Sequence, residues 1–207
     1  MKSPRRAGSP SLLTATLAAA ALAAALMPAS ASAGCPPTPR EQGQCLPVGQ
    51  TSLSIDAYGH FEWRASRAAA ATADEFVDSA ASYQLCAWDE EHLVVAADIP
   101  AGSECRGMTC WNKRDTTWRY SDDVGANGDI RVLDFTGSDE DRTKLHTITM
   151  VIGGIILPVN GGVVVQLART DNDTCFESFI PADSFSLDDK AAFAAKFSDP
   201  SVSGAAE

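Results

Sequence analysis

Apolar and polar residues alternate along much of the chain, most clearly in residues 83–101. A period of two is typical of a β-strand with one buried face. Two such runs flank a polar turn at residues 89–91, which predicts a β-hairpin. The second run is apolar on both faces, so we expect this strand to be buried on both sides. One face of this strand carries Leu93, Val95, Ala97 and Ile99. The other face carries Val94 and Ala96.

A second copy of this stretch lies at residues 165–182. Internal similarity of this kind is the signature of repeated structural units. The sequence therefore predicts two related β units packed into one domain. The matching segments are Gln84-Leu85 with Gln166-Leu167, and Ile99-Pro100-Ala101 with Ile180-Pro181-Ala182.

Further strands are predicted wherever the alternation recurs between turn signals. Asn127-Gly128 is a typical hairpin turn. A chain of roughly ten short strands separated by turns is expected to be mostly β. We predict a two-sheet β-sandwich built from the two related units, with one or two short helices. The additional strands lie at residues 53–57, 61–63, 111–121, 130–135 and 146–152.

Two segments favour helix over strand. In the alanine-rich residues 64–81, a capping-box pattern predicts a short helix or a loop. In residues 186–197, Ser186 begins a second such box, and Phe193 and Phe197 lie four residues apart. We expect this second segment to be a short amphipathic helix that covers an edge or an end of a sheet.

Residues 1–33 have the pattern of an export signal peptide. A basic start precedes an alanine- and leucine-rich run, and Ala31-Ser32-Ala33 fits a cleavage site. No other stretch approaches the ~20 apolar residues of a membrane-spanning helix. We therefore expect the protein to be secreted, or to lie at the cell surface or in the periplasm, with no transmembrane segment after cleavage. The expected domains are a Pro/Cys-rich lead-in at residues 34–50, one β-sandwich domain at residues 51–199 and a disordered tail at residues 200–207.

The chain has 16 basic and 27 acidic residues, and Lys2, Arg5 and Arg6 of the signal are among the basic ones. Such acidity favours solubility. It argues against binding to nucleic acid or anionic lipid, because both are bound by Lys and Arg. The expected partner is an unknown extracellular ligand, either a glycan or a protein.

All six cysteines follow the signal, and an even number in an exported chain predicts three disulfides with 15 possible pairings. We expect two local loops, Cys35–Cys45 and Cys105–Cys110. Cys86–Cys175 would then join the two halves of the domain. An alternative is lipid anchoring at Cys35, because Ser32-Ala33-Gly34-Cys35 weakly resembles a lipoprotein cleavage box. Lipidation would leave Cys45 without a partner.

Several short motifs, taken in order, resemble a module of secreted bacterial proteins whose function is uncharacterised. Residues 83–89, Tyr-Gln-Leu-Cys-Ala-Trp-Asp, are similar to its Tyr-x-Leu-Cys-x-Tyr-Asp hairpin start, and Cys105 with Cys110-Trp111 is similar to its Cys…Cys-Trp segment. The resemblance covers about residues 51–199. The chain departs from the pattern at residues 127–129, where Asn-Gly-Asp replaces Pro-Asp-Gly. The resemblance implies an exported β-rich module and no particular activity.

Acidic turns are candidate calcium sites. Calcium prefers six to eight oxygen ligands from flexible loops. One acidic cluster lies at residues 122–129, and two others lie at residues 171–173 and 139–141. None of the three has the spacing of an EF-hand loop. Asp and Asn are also ordinary turn residues, so plain turns are the alternative. The candidate ligands of the first cluster are Asp122, Asp123, Asn127 and Asp129.

No catalytic motif is recognisable, and we assign no catalytic residue. The histidines at positions 60, 92 and 146 are interpreted as turn or surface residues. Four aromatics could form an exposed binding surface, although core packing is the more common role. The sequence favours a non-enzymatic role in extracellular binding, adhesion or surface structure. The alternative is a polysaccharide-active hydrolase with an Asp/Glu pair. The four aromatics are Trp63, Trp111, Trp118 and Tyr120.

Overall fold

The computed structural model describes residues 34–41, 43–56, 58–68, 76–137, 143–150, 157–188 and 192–199, with the backbone alone at 67–68, 143–150 and 188. The protein is mostly β, and its described helical content is close to a single 3₁₀ turn at Ala182–Ser184. The strands are β1 Leu46–Ile55, β2 His60–Ala68, β3 Tyr83–Trp88, β4 Leu93–Ile99, β5 Glu104–Cys105, β6 Met108–Thr109, β7 Trp111–Arg114, β8 Thr117–Ser121, β9 Ile130–Thr136, β10 Thr143–Met150, β11 Val163–Arg169, β12 Cys175–Ile180, β13 Phe185–Asp188 and β14 Phe193–Ser198.

The strands form two groups that share β1. The hairpin group has the order β4-β3-β11-β12, and the wide group has the order β13-β14-β1-β2-β10-β9-β8-β7. Leu46 and Pro47 of β1 pair in parallel with β12, whereas the rest of β1 pairs with β2 and β14 in antiparallel fashion. β5 and β6 form a separate two-stranded ribbon.

The hairpin group contains both of the similar stretches found in the sequence. β3–β4 and β11–β12 each form an antiparallel hairpin, and their first strands pair with Leu85 opposite Leu167. The predicted hairpin at residues 83–101 is therefore confirmed. β4 is largely buried on both faces, as expected, with Val94 and Val95 at 4% and 1% exposure. A common origin of the two hairpins stays a prediction.

Side chains from both groups share one hydrophobic core. The rings of Phe135 in β9 and Phe176 in β12 both contact Phe76, at centroid distances of 5.0 Å. The Trp63 Nε1–H group in β2 donates to Ser178 Oγ in β12 at 3.2 Å. Because one core joins the groups, each group has an inner face towards the core and an outer face away from it. The predicted two-sheet sandwich itself stays a prediction.

The predicted helix at residues 186–197 is wrong. β13 and β14 occupy its ends and pair with each other, while β14 also pairs with β1. In β14, Phe193 and Ala195 are buried and Lys196 is exposed, which is a period of two. The Phe193/Phe197 spacing fitted a helix, but hydrogen bonding to the edge of β1 favours a strand here.

The first predicted helical segment, residues 64–81, begins as strand, because β2 continues to Ala68. Residues 69–75, which contain most of the predicted capping box, lie outside the described residues. Phe76 is the apolar anchor of this segment and is fully buried.

Three disulfides stabilise the protein, and two of the expected pairings are wrong. The bonds are Cys35–Cys86, Cys45–Cys175 and Cys105–Cys110. Cys86 cannot reach Cys175, because β11 lies between β3 and β12 and two strand spacings exceed the ~7 Å Cα limit of a disulfide. The local Cys105–Cys110 loop is confirmed. Bonding of Cys35 to Cys86 leaves no thiol for the alternative lipid anchor.

Residues 34–41 and 43–45, which we call the strap, lie across the outer face of the hairpin group. Two of the disulfides attach it, and Trp88 Nε1–H donates to the Pro36 carbonyl at 3.0 Å. The Gln166 side chain accepts from the Arg40 N–H at 3.1 Å and donates to the Arg40 carbonyl at 3.2 Å. Both outer-face residues, Trp88 and Gln166, are buried as a result.

Candidate binding surface

The outer face of the wide group is polar, and we call it the polar face. Residues directly opposite each other in paired strands share one face of the sheet. Register therefore places a single row across seven strands from β14 to β7. The row is Lys196, Ser52, Arg64, His146, Asp134, Arg119 and Asn112, where β10 contributes the backbone position of His146.

The local sequence explains why these side chains point outward. In β1, the apolar Leu53 and Ile55 and the buried Thr51 alternate with Ser52 and Ser54. Burying the apolar set fixes the opposite set on the outside, because successive side chains of a strand point to opposite faces. The same rule places Arg119 outside while its neighbour Tyr120 is fully buried.

Two grooves lie on the polar face. The first, of about 380 Å³, is bordered by Gln50, Ser52, Arg64 and Lys196 on β1, β2 and β14. The second, of about 660 Å³, lies on the β7–β8–β9 edge. Both grooves offer basic side chains together with hydroxyl or amide groups. The second groove is bordered by Asn112, Arg114, Thr117, Arg119, Asp134 and Thr136, with Asp115 and Thr116 at the β7–β8 turn.

Ion pairs orient two of the basic residues on this face. Arg64 Nη2 lies 2.6 Å from Glu62 Oε1, and Arg119 Nη1 lies 3.4 Å from Asp134 Oδ2. The two arginine side chains remain 62% and 55% exposed, so their remaining N–H groups can reach a ligand. Arg114 and Lys196 are exposed and make no ion pair within the described part of the chain.

The predicted calcium ligands occupy the loop between β8 and β9. Asp122 is fully buried, and its carboxylate accepts the N–H groups of Gly125 and Asn127, each at 2.8 Å. Burial opposes ionisation of this carboxyl, but the N–H donors outweigh it and lower the pKa of Asp122. Asp122 therefore organises the loop itself.

The other three residues of this cluster have separate surroundings. Asp123 pairs with Arg106 at 3.2 Å on the surface. The Asn127 side-chain amide donates to the Glu104 carbonyl at 2.9 Å, which ties the loop to the β5–β6 ribbon. Burial, and then the negative charge of Asp129, raises the pKa of Asp98 at the end of β4. Within the described residues, no three acidic, His or Cys side chains are grouped to hold a metal ion.

The acidic cluster at residues 171–173 is engaged in local hydrogen bonds. Asp171 accepts from Arg169 Nε at 2.6 Å and from Nη2 at 2.7 Å, and these bonds lower the pKa of Asp171. Asn172 Oδ1 accepts the N–H of Thr174 at 2.8 Å, as in an Asx turn. The cluster at residues 139–141 lies outside the described residues.

The candidate aromatic surface is part of the core. Trp63 and Tyr120 are fully buried and Trp111 is 5% exposed, so the core interpretation is confirmed. The Trp111 ring lies between those of Tyr83 and Tyr120, at centroid distances of 5.2 and 5.4 Å. Trp118 is partly buried and carries Lys113 over its ring at 5.2 Å.

The histidines at positions 60 and 92 are surface residues, as expected, with His60 at the start of β2 and His92 in the β3–β4 turn. His60 Nδ1 lies 2.7 Å from Asp56 Oδ2 in the β1–β2 turn. His92 Nδ1 lies 3.6 Å from Asp89 Oδ1 in the β3–β4 turn. Both rings are about half exposed at the surface.

The sequence reasoning missed the polar face because it followed the apolar positions of each strand. The signal that could have found it is the polar set: Gln50, Ser52 and Ser54 in β1, and Glu62, Arg64 and Ser66 in β2. Strand order is also needed, because Arg119 shares a face with Arg64 only through the pairing of β2 with β10, of β10 with β9 and of β9 with β8.

Three disulfides fit an extracellular or otherwise oxidising environment. Among the described residues, no helix has the length and apolar character needed to cross a membrane. No protein-family model, no curated protein and no solved structure matches this chain.

Proposed function

We propose that this protein is an exported, non-enzymatic binding module whose ligand lies on the polar face. The observation that carries the proposal is the position of both grooves on one face of one continuous set of strands. The covered outer face of the hairpin group serves stability, and the bare outer face of the wide group serves recognition. Rigid strands hold binding side chains in place more accurately than loops do.

Export is part of this proposal and is supported by the pattern of residues 1–33 and by the disulfides. Binding is favoured over catalysis because the polar face presents hydroxyl, amide and guanidinium groups and lacks a described pair of closely spaced carboxylates. Calcium at the β8–β9 loop remains a separate proposal, testable by thermal unfolding with and without the ion.

Steric block of the grooves tests the proposal. The protein recovered from a secreting host in its oxidised form is screened against neutral polysaccharides (dextran, xylan, mannan), acidic polysaccharides (polygalacturonate, hyaluronate) and extracellular matrix proteins. Ser52→Trp and Thr117→Trp each place an indole in one groove. Asp173→Trp, in the exposed β11–β12 turn, is the matched control.

We expect at least one member of the panel to bind, and we expect the groove variants to weaken binding while the control does not. Equal unfolding temperatures of the three variants would show that the folds are intact. The proposal is overturned if no member of the panel binds, or if the control variant weakens binding as much as the groove variants do.

A further inference from the structure

The polar face reverses the charge balance of the chain. Residues 34–207 hold all 27 acidic residues but only 13 of the 16 basic ones, because Lys2, Arg5 and Arg6 precede them. On the described strands of the polar face, basic side chains outnumber acidic ones. The basic ones are Arg64, Arg114, Arg119 and Lys196, and the acidic ones are Glu62 and Asp134, while the acidic Asp115 lies in the turn that borders the second groove. A locally positive surface on a negative protein attracts an anionic ligand to one place.

Neutral hydrogen-bonding groups lie between the charges. Ser66 Oγ donates to Gln50 Oε1 at 3.3 Å in the first groove, and the hydroxyls of Thr117 and Thr136 lie 3.0 Å apart in the second. Hydroxyls both donate and accept hydrogen bonds. A surface that alternates cations with hydroxyls and amides is complementary to a ligand that alternates anions with hydroxyls.

Large apolar and aromatic side chains are scarce on this face. The exposed large apolar residues of the described chain are Tyr58, Met108, Val124, Phe179 and Leu187. Of these, Leu187 borders the polar face on the edge strand β13, and Tyr58 lies at its β1–β2 end, with its ring centroid 6.4 Å from that of His60. Among the described side chains, the face therefore presents few rings on which sugar rings or nucleobases could stack. Without an apolar cluster, it has nothing to insert into a lipid layer. Ionic and hydrogen-bonding contacts are what it offers.

The face is also long enough for a polymer. Seven strands from β14 to β7 span six spacings, or roughly 29 Å at ~4.8 Å each. The two grooves lie at opposite ends of this span. Each contains a basic residue without an ion pair in the described chain, Lys196 in the first and Arg114 in the second. A ligand that reaches both must be extended and must carry several anionic groups.

We propose that the ligand of the polar face is an acidic polysaccharide that runs across the strands and carries carboxylate or sulfate groups. This inference rests on the binding function proposed above and names its ligand class. Lys196, Arg64, Arg119 and Arg114 bind the anionic groups, and the Ser, Thr, Asn and Gln side chains between them bind sugar hydroxyls.

The test compares one polymer with and without its charge. Polygalacturonate is the carboxylate probe, and its fully methyl-esterified form has the same backbone without the charge. Chondroitin sulfate, which carries both carboxylate and sulfate groups, is the sulfated probe. Binding of the oxidised, secreted protein is measured by biolayer interferometry from low to high NaCl concentration. The variants are Arg114→Gln/Lys196→Gln, and the matched control is Arg106→Gln/Lys113→Gln, which removes the same charge from positions off the polar face.

We expect at least one acidic polymer to bind at least about tenfold more tightly than the methyl ester, and the affinity to fall as salt rises. The Arg114→Gln/Lys196→Gln variant is expected to weaken binding about tenfold. The control pair is expected to change it by less than about twofold.

Three outcomes overturn the inference. Equal binding of polygalacturonate and its methyl ester, with no binding of chondroitin sulfate, would remove the requirement for charge. Equal loss in the control pair would mean that the polar face is not the site. Binding of a neutral polysaccharide or a protein alone, blocked by Ser52→Trp, would contradict the acidic ligand yet leave the proposed binding function intact. If nothing binds, the proposed function fails as well.

Discussion

The hairpin group and the wide group each turn one face to the shared core, and they differ in what lies on the other face. The strap covers part of the outer face of the hairpin group, where Phe179 remains 54% exposed, and is attached there by two disulfides. The outer face of the wide group carries exposed charges and two open grooves. Sequence differences follow the same division. β4 and β11 are largely apolar on both faces, apart from Asp98 and Gln166, whereas β1 and β8 alternate.

This difference shows where the chain holds its stability and where it tolerates change. A strand covered on both sides must be apolar or paired throughout, because an unpaired buried polar group costs about 1–3 kcal/mol. A strand with one bare face has polar positions that do not contribute to the core. Mutations on the two outer faces should therefore differ in effect, and the following predictions are ordered by size.

The largest effect is expected when the strap is released. In the chain-entropy model, the stabilisation by a disulfide grows with the loop that it closes. The sequence separations are 130 for Cys45–Cys175, 51 for Cys35–Cys86 and 5 for Cys105–Cys110. Paired Cys→Ala substitutions should lower the free energy of unfolding by about 5, 4 and 2 kcal/mol in that order. Urea unfolding measures all three.

The order of the three losses is the decisive feature. If removal of the Cys105–Cys110 loop were as damaging as removal of either strap disulfide, the strap would not be the main source of stability. Hydrogen exchange provides a second readout. Loss of the Cys45–Cys175 bond should speed exchange in β3 and β11 more than in β8 and β9, because only the first two lie under the strap.

The next effect concerns the side chain that binds the strap. Gln166→Ala leaves the N–H and carbonyl groups of Arg40 without their partners, so we expect a loss of about 1–3 kcal/mol. Gln84→Ala is the matched control, because Gln84 occupies the corresponding position of the other hairpin but is only half-buried. Its effect should stay within about 0.5 kcal/mol. Equal effects of the two substitutions would show that Gln166 acts through the hairpin alone.

The third effect concerns the wide group, whose β8–β9 edge is held by its own loop. At neutral pH, Asp122→Asn should cost about 1–3 kcal/mol, because an amide NH₂ replaces an acceptor of backbone N–H groups. The pKa of Asp122 is lower in the folded protein than its ordinary value of 3.8. A carboxyl with a lowered pKa stabilises the fold above the unfolded-state pKa, and this stabilisation is lost as pH falls through the folded-state pKa.

Wild type and Asp122→Asn should therefore converge in stability as the pH falls from 5 towards and below the lowered pKa. Asp123→Asn is the control, because Asp123 is 69% exposed and pairs only with the exposed Arg106. Its effect should stay within about 0.5 kcal/mol at every pH. A constant difference between wild type and Asp122→Asn across this range would mean that the charge of Asp122 does not stabilise the loop.

The sequence predicted those features that depend on local pattern. The alternation in residues 93–99 predicted β4 and its two buried faces, and the proximity of Cys105 and Cys110 predicted their bond. The features that depend on strand order were not predictable. Cys86 and Cys175 are separated by β11, and β14 forms a strand because it pairs with the edge of β1.

The candidate site follows the same rule. The sequence identified Asp122 as a candidate ligand but did not predict its burial. The burial arises because the loop turns the N–H groups of Gly125 and Asn127 towards the Asp122 carboxylate. The polar face required pairing information that a single strand does not carry. Arg64 and Arg119 are 55 residues apart in the sequence and share a face only because β10 and β9 lie between their strands.

The smallest effect on stability is expected on the polar face, and it should accompany the largest effect on binding. Arg114→Gln/Lys196→Gln removes two exposed side chains that make no ion pair in the described chain, so unfolding should change by less than about 0.5 kcal/mol. The same variant should bind acidic polysaccharide about tenfold more weakly. Substitution of a residue that stabilises the fold should instead lower the free energy of unfolding and leave binding unchanged, as we expect for Gln166→Ala. If the variant unfolded as readily as Gln166→Ala, these cations would support the sheet, and the division between a stabilising face and a recognising face would be wrong.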